Sequence, residues 1–117
     1  MRRRALIALC AVLGGAAALA LLLTRESEFA RFDSPDGAFT AVVTSPLLWS
    51  LIPGMPGSGS DRPGAVRIER RDGRSCGRAP LELVQLAYGL RWEAGEASLP
   101  AIAHWDLAAC RVALSPR

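Results

Sequence analysis

Residues 5–23 form a run of nineteen in which no side chain is charged and only the Cys10 thiol is at all polar. Three arginines, Arg2, Arg3 and Arg4, stand directly before it. At ~1.5 Å per residue a helix of that length runs about 28 Å, close to the roughly 30 Å hydrocarbon core of a bilayer. The stretch from Ala5 to Leu23 therefore predicts a transmembrane helix. It bears on compartment, orientation and cysteine chemistry for everything that follows, and says nothing of activity.

A secretory signal peptide shares the basic start, but its apolar part usually runs about 7–15 residues and ends at a small-x-small cleavage site. The triplet Ala18-Leu19-Ala20 lies inside the apolar run, with Leu21, Leu22 and Leu23 still to come. Cys10 follows Leu9 and comes too early for a lipoprotein signal. Length and flanks favour an uncleaved signal-anchor; a cleaved signal, releasing a secreted domain, is the alternative. By the positive-inside rule Arg2–Arg4 stay cytoplasmic, while the far flank sets Arg25 against Glu26 and Glu28. The remainder is then expected outside an inner membrane crossed once, in the periplasm or beyond the cell. Gly14 and Ala18 could let two such helices pack closely, although small residues abound in this alanine-rich segment.

The organisation expected is 1–23 signal-anchor, 24–31 juxtamembrane segment and start of the first strand, 32–114 extracytoplasmic domain, and 115–117 tail. The chain has fourteen arginines and no lysine, and eleven acids. Three arginines precede the anchor, so the other eleven balance the eleven acids, and the net charge of +3 belongs to the tip. A nucleic-acid partner inferred from overall basicity is thereby excluded. Beyond Cys10, the outer part holds Cys76 and Cys110. Two thiols in a small domain of an oxidising compartment point to a disulfide, the alternative being two separate buried cysteines.

Alternation in residues 28–32 and the β-branched run 39–44 predict two strands joined by the turn Ser34-Pro35-Asp36-Gly37. Ser45 as cap and Pro46 as first residue predict a short helix, with Leu47, Leu48, Leu51 and Ile52 on one face and Pro53 at its end. That face is expected to lid the sheet core; the other reading dips Leu48, Trp49 and Ile52 into the membrane interface. A glycine- and proline-dense loop, 54–64, follows. Residues 65–70 alternate again, and Asp72-Gly73 marks a hairpin returning near 75–79. Residues 81–90 suit either helix or strand, and flanking strands favour strand. A third hairpin spans 90–99, then a strand within 102–107 and an ordered segment at 110–114. The fold class expected is a transmembrane helix plus a small, mainly-β antiparallel domain, sandwich-like or a partly open barrel, with one short helix.

The phrase Phe32-Asp-Ser-Pro-Asp-Gly37 with Val42-Val43 resembles one hairpin of TolB-like propeller blades. It occurs once, so the resemblance implies a hairpin and not a propeller. The layout Pro46-Leu-Leu-Trp49, Met55-Pro-Gly-Ser-Gly-Ser-Asp61, Pro63-Gly64, Arg91-Trp92 and Trp105 is similar to small uncharacterised bacterial membrane-anchored proteins. That resemblance implies one extracytoplasmic domain and transfers no site.

No motif names a catalytic set, cofactor or metal site. His104, Asp106 and Cys110 match no standard zinc spacing, and no nucleophile accompanies the pair His104 and Asp106 that a hydrolase would use. Gly57-x-Gly59 lacks the lysine and helix of a phosphate loop. The residues that suit interaction are Trp49, the loop pair Asp61 and Arg62, and the basic hairpin Arg70, Arg71 and Arg74. Arginine clusters suit carboxylates or phosphates, although a solvated hairpin accounts for the same residues. The expected function is a membrane-anchored binding module with an unknown envelope-protein partner. N-terminal sequencing of the mature protein is expected to find Arg2–Arg4 retained; a chain beginning at Leu21 would contradict the anchor.

Overall fold

The fold is that of a computed structural model, described for residues 2–51 and 62–116. Helix α1, Arg2–Thr24, is followed by two antiparallel sheets of four strands each. The first sheet contains β1 (Glu26–Asp33), β2 (Phe39–Pro46), β3 (Gly64–Arg70) and β4 (Ser75–Leu81), in that order. Helix α2 (Leu47–Leu51) lies between β2 and β3. A short 3-10 helix, Val84–Gly89, leads to the second sheet: β5 (Arg91–Glu93), β6 (Glu96–Leu99), β7 (Ala103–Asp106) and β8 (Arg111–Leu114). Each sheet is a meander in which strands consecutive in sequence pair with one another, and no barrel closes.

The turns follow their residues. Ser34 accepts the Gly37 N–H at 2.9 Å, Pro35 and Asp36 occupy the centre, and Gly37 takes the left-handed φ of +72° that its missing Cβ permits. In the next hairpin Arg70 accepts the Gly73 N–H at 2.8 Å, and the Asp72 carboxylate accepts that of Arg74 at 3.0 Å. The return strand expected near 75–79 is β4.

The core lies between the sheets. Ala41, Val43, Val66, Ile68, Ala79 and Leu81 face inward from the first sheet, and Ala97, Leu99, Ala103 and Trp105 from the second. Trp105 is fully buried, and its indole N–H donates to the Gly77 carbonyl at 3.2 Å, so the ring fills the core without stranding its donor. Cys76 of β4 and Cys110, just before β8, form a disulfide with their Cα atoms 4.3 Å apart. The expected bridge is present, spanning a sequence separation of 34 residues. In the chain-entropy account such a closure contributes about 3–4 kcal/mol by restricting the unfolded chain.

Three sequence expectations are corrected. Ser45 does not cap a helix: it continues β2, is 1% exposed, and donates its hydroxyl to the Pro63 carbonyl at 2.9 Å. The short helix does not lid the core, because no residue of α2 is buried and Leu51 is 62% exposed. Residues 84–89 form the 3-10 helix rather than a strand. Burying Val84 and Ala87 beneath a tight turn outweighs the β-branched and leucine propensity there.

At Gly77 the two sheets approach closely. Its φ is +116°, and a Cβ placed on it would stand 2.3 Å from Val112 Cγ1 of β8. Gly77→Ala therefore meets both backbone strain and overpacking, and is expected to destabilise by about 2–3 kcal/mol. Denaturant unfolding of the oxidised protein checks this; unchanged stability would show that the sheets are not held so closely.

Candidate functional site

The interaction residues named from sequence divide between two opposite ends of the domain, and β2 measures their separation. Phe39 begins that strand beside Arg70, its register partner on β3, and Pro46 ends it against α2. Eight residues at ~3.3 Å each make the two ends about 25 Å apart. Arg70, Arg71 and Arg74 lie at the far end, whereas Trp49 and Arg62 lie at the end where α1 enters. Asp61 and the Gly57-x-Gly59 segment fall outside the described residues.

At the α1 end the chain is closely tied. The Arg25 N–H donates to Leu22 O at 3.2 Å, and the Leu47 N–H donates to Arg25 O at 2.9 Å, which fixes the start of α2 to the last turn of α1. Leu48, Trp49 and Leu51 present 39%, 37% and 62% of their surface. Arg62 reaches this helix: its guanidinium donates to the Ser50 hydroxyl at 3.2 Å and lies 5.4 Å from the centre of the Phe29 ring. Trp49 and Arg62, thirteen residues apart in sequence, thus belong to one surface.

At the far end the tips of three hairpins surround a groove of about 430 Å³ between the two sheets. Phe39, Trp92 and Leu107 give it an apolar floor, with Asp36 and Glu93 at its rim. It adjoins a second depression of about 460 Å³ edged by Arg70, Arg71 and Asp72. Arg70 and Asp72 form an ion pair at 3.8 Å. Arg74 lines neither depression. The rim is built on Asp36, whose carboxylate accepts the Ser34 hydroxyl at 2.6 Å and the Ala38 N–H at 3.0 Å. The Ser34 hydroxyl, then the backbone donor, hold the Asp36 carboxyl below its ordinary range. Sequence reading missed Phe39, Trp92 and Leu107 as a group. Phe39 begins β2, Trp92 is the middle residue of β5 and Leu107 directly follows β7, so only sheet-on-sheet packing joins them.

The remaining arginines of the basic run are spent elsewhere. Arg31, Val42, Arg67 and Arg78 lie in register across the four strands on the face away from the core. Arg31 pairs with Glu28 at 2.7 Å, Arg67 with Glu69 at 2.6 Å, and Arg78 with Glu26. This face is charge-balanced and offers no basic patch. His104 and Asp106 share the outer face of β7, as strand alternation requires. His104 stands 3.9 Å from Glu96, and the Asp106 carboxylate accepts the Ala109 N–H at 3.1 Å. The two are thus each engaged locally, and among the described residues no three His, Cys, Asp or Glu converge as a metal site.

Comparison with protein-family models, curated proteins and solved structures finds no match to this chain.

The Asp36 geometry has a pH consequence. A carboxyl held lower in the folded state stabilises the fold above its unfolded pKa, about 3.9, and that contribution is lost as pH falls through the lower folded value. The Ala38 amide resonance is expected to titrate with a midpoint below the ordinary value of about 3.9, and this titration is expected to disappear in Asp36→Asn. A midpoint at or above that ordinary value would show that the carboxylate is not so held.

Proposed function

We propose that the protein is a single-pass envelope protein whose β domain, outside the inner membrane, is a binding module for another envelope component. One observation carries this reading. Helix α1 is 23 residues long, strongly apolar, and has no buried residue anywhere along it. At ~25 cal/mol per Å² of apolar surface, such a helix left in water is strongly disfavoured, and a bilayer is the solvent that suits it. Its length agrees, since 23 residues at ~1.5 Å reach about 34 Å.

The disulfide is consistent with an oxidising compartment, and Arg2–Arg4 set the opposite flank in the cytoplasm. The far-end groove supports binding as the domain's work. Its apolar floor, with Asp36 and Glu93 at the rim and Arg70 and Arg71 at the adjoining depression, provides contact area and orientation. A second reading rests on Ala18-Leu19-Ala20, where cleavage would release the same domain as a secreted binder.

The two readings part on fractionation. Alkaline extraction is expected to leave the full-length protein in the membrane fraction, and protease added from the outer side is expected to degrade the chain beyond Thr24. A soluble domain lacking α1 would favour release, and a protected domain would reverse the orientation.

A further inference from the structure

We infer that α2 is a second membrane contact: Leu48, Trp49 and Leu51 rest in the headgroup–acyl boundary of the bilayer that α1 crosses. This deepens the proposed anchor and rests on it. Three independent features converge on lipid as the occupant of this surface.

The first is position. Leu47 donates to Arg25 O at 2.9 Å, and Arg25 donates to Leu22 O at 3.2 Å, so α2 begins one hydrogen bond from the end of the spanning helix. The nineteen residues 5–23 match the hydrocarbon thickness, which sets Thr24 and Arg25 at its outer edge. Wherever α1 sits in the bilayer, α2 travels with its exit and stays at the interfacial level. Continuity with the spanning helix thus sets its depth.

The second is exposure. Leu48, Trp49 and Leu51 lie 37–62% open, although the core between the sheets is within a few residues of them in the chain. Ser45 and Val43, just upstream on β2, are each 1% exposed. Chain geometry therefore turns these three side chains away from the protein interior. Tryptophan is the side chain enriched at the headgroup level, since its ring is apolar and its indole N–H reaches polar partners.

The third is charge. Arg62 lies against α2 through Ser50 Oγ at 3.2 Å, and Arg25 stands at the helix exit. Guanidinium groups at this depth meet lipid phosphates. Of the described acids at this end, Glu26 pairs with Arg78 and Glu28 with Arg31.

Two attachment points constrain orientation where one would leave the domain swinging about residue 25. With α2 seated, β2 rises from the membrane, and the groove of Phe39, Trp92 and Leu107 is held about 25 Å out from the interface. The second contact thereby presents the groove to the envelope space.

The test uses the full-length protein reconstituted in phosphatidylcholine–phosphatidylglycerol vesicles. Lipids brominated high on the acyl chain are compared with lipids brominated near its end. Trp105 is enclosed in the core and Trp92 lies at the far end, so bromine-dependent quenching reports Trp49. Shallow bromines are expected to quench more than deep ones, and Trp49→Phe is expected to lose most of that quenching. Equal quenching of wild type and Trp49→Phe, in protein that floats with the vesicles, would overturn the contact while leaving the anchor intact. Failure to float with the vesicles would overturn the anchor, and this proposal with it.

Discussion

The crossing of Trp105 beneath Gly77 is the contact on which the domain depends. A sheet with an apolar face must bury it against another layer, and each four-stranded sheet here does so against the other. They become one domain because the Trp105 ring fills the space between them and its N–H meets the Gly77 carbonyl. A residue with no Cβ lets Val112 approach from β8 at the same point, and Cys76, its neighbour, is bonded to Cys110 next to β8. The bridge and the close approach fall on neighbouring residues of β4, and Trp105 of β7, the largest core side chain, hydrogen-bonds to the same place, where the two sheets meet. The far-end groove is a product of this junction, since it opens where the two sheets diverge at their hairpin tips.

The outer face of the first sheet shows how little of the arginine content is left for partners. Val42 is fully buried although it points away from the core, with Arg31 and Arg67 beside it in register. Long arginine stems cover apolar surface while their charged ends meet carboxylates at the rim. Surface pairs of this kind contribute modestly to stability, and their main effect here is to neutralise the face. Arg70 and Arg71 are different because β3 ends at Arg70, so they stand at the groove edge rather than in the middle of the paired face.

Much of the chain's layout was readable from local signals. The apolar run became α1, Pro35-Asp36-Gly37 and Asp72-Gly73 became turns, and alternation located β1, β3 and the hairpin of β5 and β6. The failures came where long-range packing overrode local preference. Ser45 has the chemistry of a helix cap, but the Pro63 carbonyl across the sheet claims its hydroxyl. Val84 and its neighbours have strand propensity, but burial of Val84 and Ala87 requires a tight turn. The apolar face of α2 looks like a lid, but its link to Arg25 holds it at the helix exit. Arg70, Arg71 and Arg74 form one cluster in sequence, yet Arg70 and Arg71 edge the second far-end depression and Arg74 lines neither of the two.

By itself the sequence determined what each segment tolerates as solvent and where the chain turns. A nineteen-residue run without charge, the charge balance beyond it and two outer cysteines are properties of composition and order, which need no contacts to read. Only the tertiary structure decided which distant residues meet. Cys76 finds Cys110, Arg62 meets Ser50 beside Trp49, and Phe39, Trp92 and Leu107 share a floor because two sheets pack face to face. The physical reason is that periodicity reports which side of a strand is apolar, whereas the identity of the opposing side chain depends on sheet order and register. Those are settled by closure of the whole core around Trp105.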